Sequence, residues 1–323
     1  MKVIRVRNAA LVAALSAYAQ AAQAHGIAGN RYFDGTLAFD DPAVADEAIL
    51  PLYSSLAFPT QGSNADENRL NWAFARLLTP TLAFVAGSGW VHQNWPVGHT
   101  SGLDKTDIGL KYEAYRDNRH EALISVGLAW GIGHSGARGV GADAPNTIQP
   151  GLFFGKGLGD LPDSLSWLRP FAITGSVVDE LPLGSVATAL APNIALGRFE
   201  PVLAPAVQTL HWGFSIQYST LYLTNRFDGG PPKDEPLNQL VPLVEFRFDS
   251  SRGQYTAATV NPGFAYVAVS WQLAAEAIVP LNHASGNNLG FRAQLLFFLD
   301  DLMPSLFGKP LLSDKPAQSQ IAW

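Results

Sequence analysis

The sequence predicts an all-β protein, a transmembrane, antiparallel, up-and-down β-barrel of twelve strands with an N-terminal signal peptide. Three observations lead to this fold class. Large apolar side chains alternate with small or polar ones along most of the chain, which is the period of a β-strand. Charged residues make up only 15% of the 323 residues, against roughly 25% in ordinary soluble domains. No stretch after the N-terminus approaches the roughly 20 consecutive apolar residues of a spanning helix.

The composition also excludes several classes of function. The chain has no cysteine, so disulfide scaffolds, zinc–thiolate sites, iron–sulfur clusters and cysteine nucleophiles are excluded. Its formal net charge of −6 argues against a nucleic-acid partner, whose phosphates require a basic face. We predict no cofactor and no metal site.

The first element is a secretory signal peptide at residues 1–24. It has a basic start with Lys2, Arg5 and Arg7, then a largely apolar run, then the small-x-small sequence of residues 22–24, and these three parts in this order are typical of export signals. Cleavage would leave His25 as the first residue of an exported chain.

Twelve alternating segments follow. From Leu210 to Tyr218, for example, large apolar residues alternate with small or polar ones. Short turns and longer loops alternate between the segments, as in outer-membrane barrels, whose short turns face the periplasm; the long connection 223–238 departs from this order. The predicted strands are 49–58, 68–79, 82–93, 105–115, 121–133, 146–155, 166–177, 208–222, 239–249, 258–269, 271–282 and 288–299.

The second face of these strands distinguishes a membrane barrel from a soluble β-sandwich. A soluble sheet carries charges on its solvent face, whereas here that face is mostly Gly, Ala, Ser, Asn and Gln. A closed barrel pairs every backbone group and turns its large side chains to lipid. We therefore predict an outer-membrane location and lipid contact, with a signal peptide at 1–24, a periplasmic N-terminal segment at 25–48, the barrel at 49–300 and a periplasmic tail at 301–323.

Three stretches of sequence resemble a known family. They are Ala38-Phe39-Asp40-Asp41-Pro42, Asp107-Ile108-Gly109-Leu110-Lys111-Tyr112 and the run from Phe154 to Asp163. These stretches are similar to proteobacterial outer-membrane barrels of the family named for the meta-pathway of phenol degradation, usually described as transporter-like. The resemblance covers residues 30 to 310 or so and implies a barrel and a transport role. It carries no catalytic residue. The chain departs from a typical barrel by continuing past its last strand to Trp323.

Charged and polar residues on the small-residue face are the candidate functional residues, because ionisable groups inside a barrel can set what passes. The alternative is that they only fill and hydrate the interior. Leu123, Val267, Leu296 and Phe298 fall on the same face, and this mixed interior favours small, aromatic or apolar solutes. The predicted lumen-lining residues are Arg69, Lys111, Glu113, His211, Glu245, Arg247, Glu276 and Arg292.

We therefore expect a channel or transporter for small molecules and not an enzyme. One alternative is a structural or binding barrel with a plugged lumen. A second is a lipid hydrolase of the outer membrane, because His283 and Ser285 repeat the His-x-Ser pair of outer-membrane phospholipase A, and a histidine can act as the base for a serine. No downstream strand supplies the matching asparagine, and the surrounding residues are typical of a loop.

Overall fold

The computed structural model describes residues 26–29, 31–60, 63–220 and 240–313. Its strands are β1 Ile27–Ala28, β2 Arg31–Tyr32, β3 Glu47–Thr60, β4 Ser63–Thr79, β5 Leu82–Trp95, β6 Gly98–Leu103, β7 Asp107–Asp117, β8 Ala122–Gly131, β9 Thr147–Gly157, β10 Phe171–Pro182, β11 Val186–Asn193, β12 Arg198–Pro205, β13 Thr209–Tyr218, β14 Leu240–Ser251, β15 Ala257–Val267, β16 Trp271–Pro280 and β17 Gly290–Phe298. Two short helices, α1 Leu299–Leu302 and α2 Pro304–Phe307, follow.

Twelve of these strands form a closed antiparallel barrel. Barrel strands that follow one another in the chain are hydrogen-bonded neighbours, and β17 pairs with β3 to close the ring. The predicted fold class is therefore confirmed. Two predicted features differ: β10 begins at Phe171 because residues 163–168 form a 3₁₀ turn, and the connection 178–207 contains the hairpin of β11 and β12.

The barrel exterior is apolar. Trp212 lies opposite Phe248 and Phe214 opposite Phe246, with ring centroids 4.0 and 4.8 Å apart in stacked pairs, whereas the next residue, Ser215, is fully buried. Because the backbone is paired all round, such a surface suits hydrocarbon, and the protein is a β-barrel of the bacterial outer membrane. Other exposed exterior residues are Leu70, Trp90, Leu110, Tyr112, Val126, Leu128, Trp130, Leu152, Phe264, Leu273 and Phe291.

The two ends of the barrel differ in the length of their connections. Short turns join β4 to β5, β7 to β8 and β15 to β16, whereas long connections such as 132–146 and 183–208 lie at the opposite end. The short-turn end is the periplasmic one by this asymmetry. Residues 1–24, assigned to the signal peptide, and the whole of the long connection 223–238 lie outside the described residues, as does 314–323.

The segment after β17 folds back against the periplasmic end of β4. The Phe307 ring meets Phe74 edge to face at 6.3 Å, and Arg76 donates to the carbonyl oxygens of Leu306 and Lys309. The amides of residues 311 and 312 donate to the carbonyls of residues 77 and 78. No helix in the described part of the chain is long and apolar enough to cross a membrane.

Candidate functional site

Residues 26–29 and 31–46 lie inside the barrel, and we call this segment the plug. It lacks the alternation of the strands, and most of its residues are buried. The Phe33 ring lies where a side chain on Gly155 would stand, since a Cβ at Gly155 would come within 3.0 Å of it. Phe39 lies over Gly213 at the same distance. Small residues on the inner face of the strands therefore make room for the plug.

Interior side chains bind the plug through its backbone. Glu245 is completely buried, and its carboxylate accepts hydrogen bonds from the amides of Leu37 and Ala38 at 3.0 and 2.7 Å. Gln272 accepts from the amide of Gly35 and donates to its carbonyl. Further donors to plug carbonyls are Gln217 to Asp34, Gln294 to Thr36 and Ser125 to Pro42.

Two cations hold the plug against the barrel wall. Lys111 on β7 donates to Oδ2 of Asp40 at 2.7 Å and to the carbonyl of Asp41 at 2.6 Å, and its Nζ lies 4.5 Å from the centroid of the Phe153 ring. Arg31, itself in the plug, donates to the carbonyl of Pro170 at 2.9 Å and pairs with Glu121 at the short-turn end. Both contacts bury charge against an opposite charge, which holds the segment in one position.

Asp34 is the exception among the plug residues. Its carboxylate is buried and makes no hydrogen bond to another residue in the described part of the chain. Burial raises the pKa of Asp34 from 3.8 to about 7, with the nearby Arg31 opposing the shift and Asp41 adding to it. An ionisable group in the plug therefore titrates in the physiological range.

All of the predicted lumen-lining residues lie on the inner face of their strands, and several contact the plug. Lys111 and Glu245 do so as described, and Arg247 donates from Nη1 to the carbonyl of Ala38 at 2.8 Å. Glu113 pairs with Arg116, which donates in turn to the carbonyl of Ile27. Their predicted role in transport stays a prediction, but their geometry shows contact with the chain itself.

The remaining predicted residues pair with neighbouring side chains. Arg69 contacts Glu67 and Asp104, and Arg292 contacts Glu276. His211 lies between Asp249, at 2.6 Å from Nδ1, and Glu180, at 3.4 Å from Nε2. The charges of Arg69 and Arg292 are thus largely balanced by the carboxylates that they contact.

A cavity of about 610 Å³ separates the plug from the end with the long loops. Plug residues 36–41 form its floor, and β3, β4, β14, β15, β16 and β17 form its walls. The Asp40 side chain at the floor is 52% exposed, so solvent reaches it. The apolar wall residues are Ile49, Leu52, Leu56, Ala73, Ile278 and Leu296, and the charged ones are Glu47, Glu67, Arg69, Arg247, Asp249 and Arg292.

Sequence reasoning did not identify the plug as an interior element, nor Gln217, Gln272 and Gln294 as its ligands. One signal was present: the stretch from Ala38 to Pro42, one of the three used for the predicted family resemblance, contacts Arg247 and Lys111.

The His283–Ser285 stretch forms a 3₁₀ turn between β16 and β17. The Ser285 hydroxyl donates to the carbonyls of Ala258 and Asn282. Nδ1 of His283 lies 3.1 Å from Oδ1 of Asn287. Both side chains therefore have loop partners, and the geometry gives no support to the hydrolase alternative.

No protein-family description matches the chain, and no curated protein matches it. Among solved structures, it is similar to the KdgM porin in complex with disordered oligogalacturonate (11% identity, 77% of this chain and 98% of that chain, TM-score 0.40). It is also similar to an outer-membrane channel from Pseudomonas putida F1 (12%, 83% and 99%, 0.44) and to the translocator domain of autotransporter NalP from Neisseria meningitidis (11%, 78% and 88%, 0.43). The likeness is one of general barrel architecture. The resemblance to the phenol meta-pathway family stays a prediction.

Proposed function

We propose that the protein is an outer-membrane channel for small molecules, which the plug closes at the periplasmic end. The observation that carries the proposal is the division of the lumen. Interior polar side chains bind the plug backbone in one half, whereas the other half holds a solvent-accessible cavity of about 610 Å³. A barrel of twelve strands is also intermediate between small filled barrels and wide aqueous porins.

The plug can leave without breaking the barrel. Its own short strands, β1 and β2, pair only with each other among the described residues, and barrel side chains supply the contacts described above. Both ends of the segment lie at the short-turn end, where the Gly29 amide meets Asn118 and the Asp46 carboxylate accepts from the Leu77 amide. Withdrawal towards the periplasm would therefore open the lumen while every strand pairing stays in place.

The residues of the cavity walls indicate which kind of solute the cavity accepts. The apolar residues Ile49, Leu52 and Leu56 on one wall support the expectation that the solute is small and at least partly apolar or aromatic. Paired charges surround this wall, so the cavity is mixed in character, as small-molecule sites usually are.

A structural or binding barrel with a permanently filled lumen is the second candidate. The complete burial of Glu245 beneath the plug favours it, because withdrawal would expose this carboxylate and break its hydrogen bonds. The two candidates differ in whether removing the plug creates a path.

Planar-bilayer recordings decide between them. A variant lacking residues 26–46 should conduct well above the wild-type level, and a synthetic peptide of residues 26–46 should suppress that current when added on the periplasmic side, with a scrambled peptide as the control. Slower migration after boiling on gels verifies that the variant is folded. If neither the folded deletion variant nor the wild type conducts, the protein is the structural barrel. If both conduct equally, the plug does not close the path.

A further inference from the structure

Large apolar side chains stay exposed on the residues that follow β17. We call residues 299–313 the C-terminal segment. Leu306 is 66% exposed and Leu312 is 73% exposed, and Lys309 is the only charged residue between 302 and 313. Monomeric soluble proteins rarely expose a large apolar patch, and such a patch usually marks an interaction site. The exposed apolar residues of the segment are Leu302, Met303, Leu306, Leu311 and Leu312.

The C-terminal segment lies against the outer side of the barrel wall. The Phe307 ring meets the Phe74 ring edge to face, with the two centroids 6.3 Å apart. Phe74 belongs to the exterior face of β4, together with Leu70 and Trp72. Because this side chain points away from the lumen, a ring that packs on it lies outside the barrel, on the surface that lipid covers.

The segment also lies at the level where the apolar exterior of β4 ends. The next residue on this face after Phe74, towards the periplasm, is Arg76, and charges on the lipid face are tolerated only near the membrane boundary. Arg76 donates to the carbonyl oxygens of Leu306 and Lys309 at 3.0 and 2.9 Å, and its guanidinium lies 5.0 Å from the centroid of the Phe307 ring. The segment therefore covers Arg76 at the periplasmic boundary of the hydrocarbon.

Hydrogen bonds near both ends of the segment keep it at this depth. The amide of Leu299 donates to the carbonyl oxygen of Asp46 at 2.9 Å, and the amide of Leu311 donates to the carbonyl oxygen of Leu77 at 3.0 Å. The apolar side chains between these two points are thus held beside the lower edge of the barrel wall, and they are not free to fold beneath the lumen.

We infer that the C-terminal segment docks on the periplasmic leaflet of the outer membrane, with its exposed leucines inserted at the boundary between headgroups and acyl chains. Its surface continues the lipid-facing exterior through the contact of Phe307 with Phe74, and apolar segments at this depth are typical interfacial anchors. Lys309 can extend to the phosphate groups while its hydrocarbon stem stays among apolar atoms. The inference is independent of the proposed channel, because it concerns the outer surface and not the lumen.

Spin labelling tests this docking in the full-length protein, since the chain has no cysteine of its own. A nitroxide is attached to Leu306→Cys, and the protein is reconstituted in vesicles of phosphatidylethanolamine and phosphatidylglycerol. Oxygen, which concentrates in hydrocarbon, and a neutral nickel chelate, which stays in water, then compete to relax the label. Two matched leucine replacements are the controls: Leu128→Cys on the exterior of β8 and Leu203→Cys on β12 at the long-loop end, which are 57% and 75% exposed.

We expect oxygen to relax the label at position 306 more than the nickel chelate does, as at position 128, and the reverse at position 203. Stronger relaxation by the nickel chelate at position 306 would overturn the inference, because the segment would then face water. A label that neither reagent reaches would also overturn it, because protein and not lipid would cover the segment. If the label at position 306 prevents folding, Leu312→Cys takes its place with the same expectations.

Discussion

The two halves of the lumen use the same kinds of side chain differently. In the periplasmic half, Glu245 and Gln272 bind backbone groups of the plug. In the other half, Arg69 pairs with Glu67 on its own strand and with Asp104, Arg292 pairs with Glu276 on β16, and a cavity remains between the walls. Interior polarity alone therefore does not indicate a conducting path. A polar interior can equally be the binding surface for a segment of the same chain.

The largest difference between the halves should appear when a lysine is replaced in each. Lys111→Met leaves the carboxylates of Asp40 and Asp41 without their cation, and breaking a buried pair typically costs about 3 to 5 kcal/mol. Lys105 pairs with Glu180, which keeps a second partner in His211, so Lys105→Met should cost less, about 1 kcal/mol. Denaturant unfolding in lipid vesicles measures both. Equal losses would mean that the plug is not held by charge.

A pH dependence should follow from the plug alone. The pKa of Asp34 is raised to about 7 in the folded protein and is roughly 3.9 in the unfolded chain. The stabilisation of the folded state that results from this difference is complete below about pH 4, falls as the pH rises to about 7 and is lost above that pH. The change is about 4 kcal/mol at most. Asp34→Asn should remove this component from unfolding curves taken between pH 5 and 8. An unchanged pH profile would show that Asp34 is solvated.

The solvation of the cavity can be compared with that of the exterior. Phe214→Arg places a charge on the lipid face near mid-bilayer and should destabilise the barrel by about 2 to 4 kcal/mol. Asn71→Arg places the same group in the cavity and should cost far less, because solvent reaches this space. Unfolding in vesicles supplies both values. A similar cost at the two positions would contradict a hydrated cavity.

The smallest effect concerns the plug backbone. Glu245→Gln keeps one acceptor oxygen and turns an NH2 group towards the other plug amide, so one hydrogen bond is lost, at a cost of about 1 to 3 kcal/mol, and the plug should be released at least about fivefold more often. Trypsin cleavage after Arg31, which is fully buried in the seated plug, reports release. Glu67→Gln is the matched control, since Glu67 contacts Arg69 and Gln93 on the walls and not the plug. Equal cleavage rates in the two variants would mean that Glu245 does not help to hold the plug in place.

The amino-acid sequence by itself determined the barrel, its twelve strands and the face of each strand, because alternation is a local property that two neighbouring residues already express. The alternation therefore predicts that Lys111, Glu245 and Arg292 lie on the inner face. The sequence also indicated the ends of most strands through its turn residues.

Only the tertiary structure decided what the interior residues contact. The plug has no period of its own, and its partners lie far along the chain: Ala38 meets Arg247, Gly35 meets Gln272 and Arg31 meets Glu121. The first two contacts are hydrogen bonds from a side chain to a backbone carbonyl, and they leave no pattern in the plug sequence because every residue has a backbone carbonyl. The third is a single ion pair, which is too little to form a pattern. The closed barrel brings these groups together, and so the division of the lumen into a filled half and an open half exists only in three dimensions.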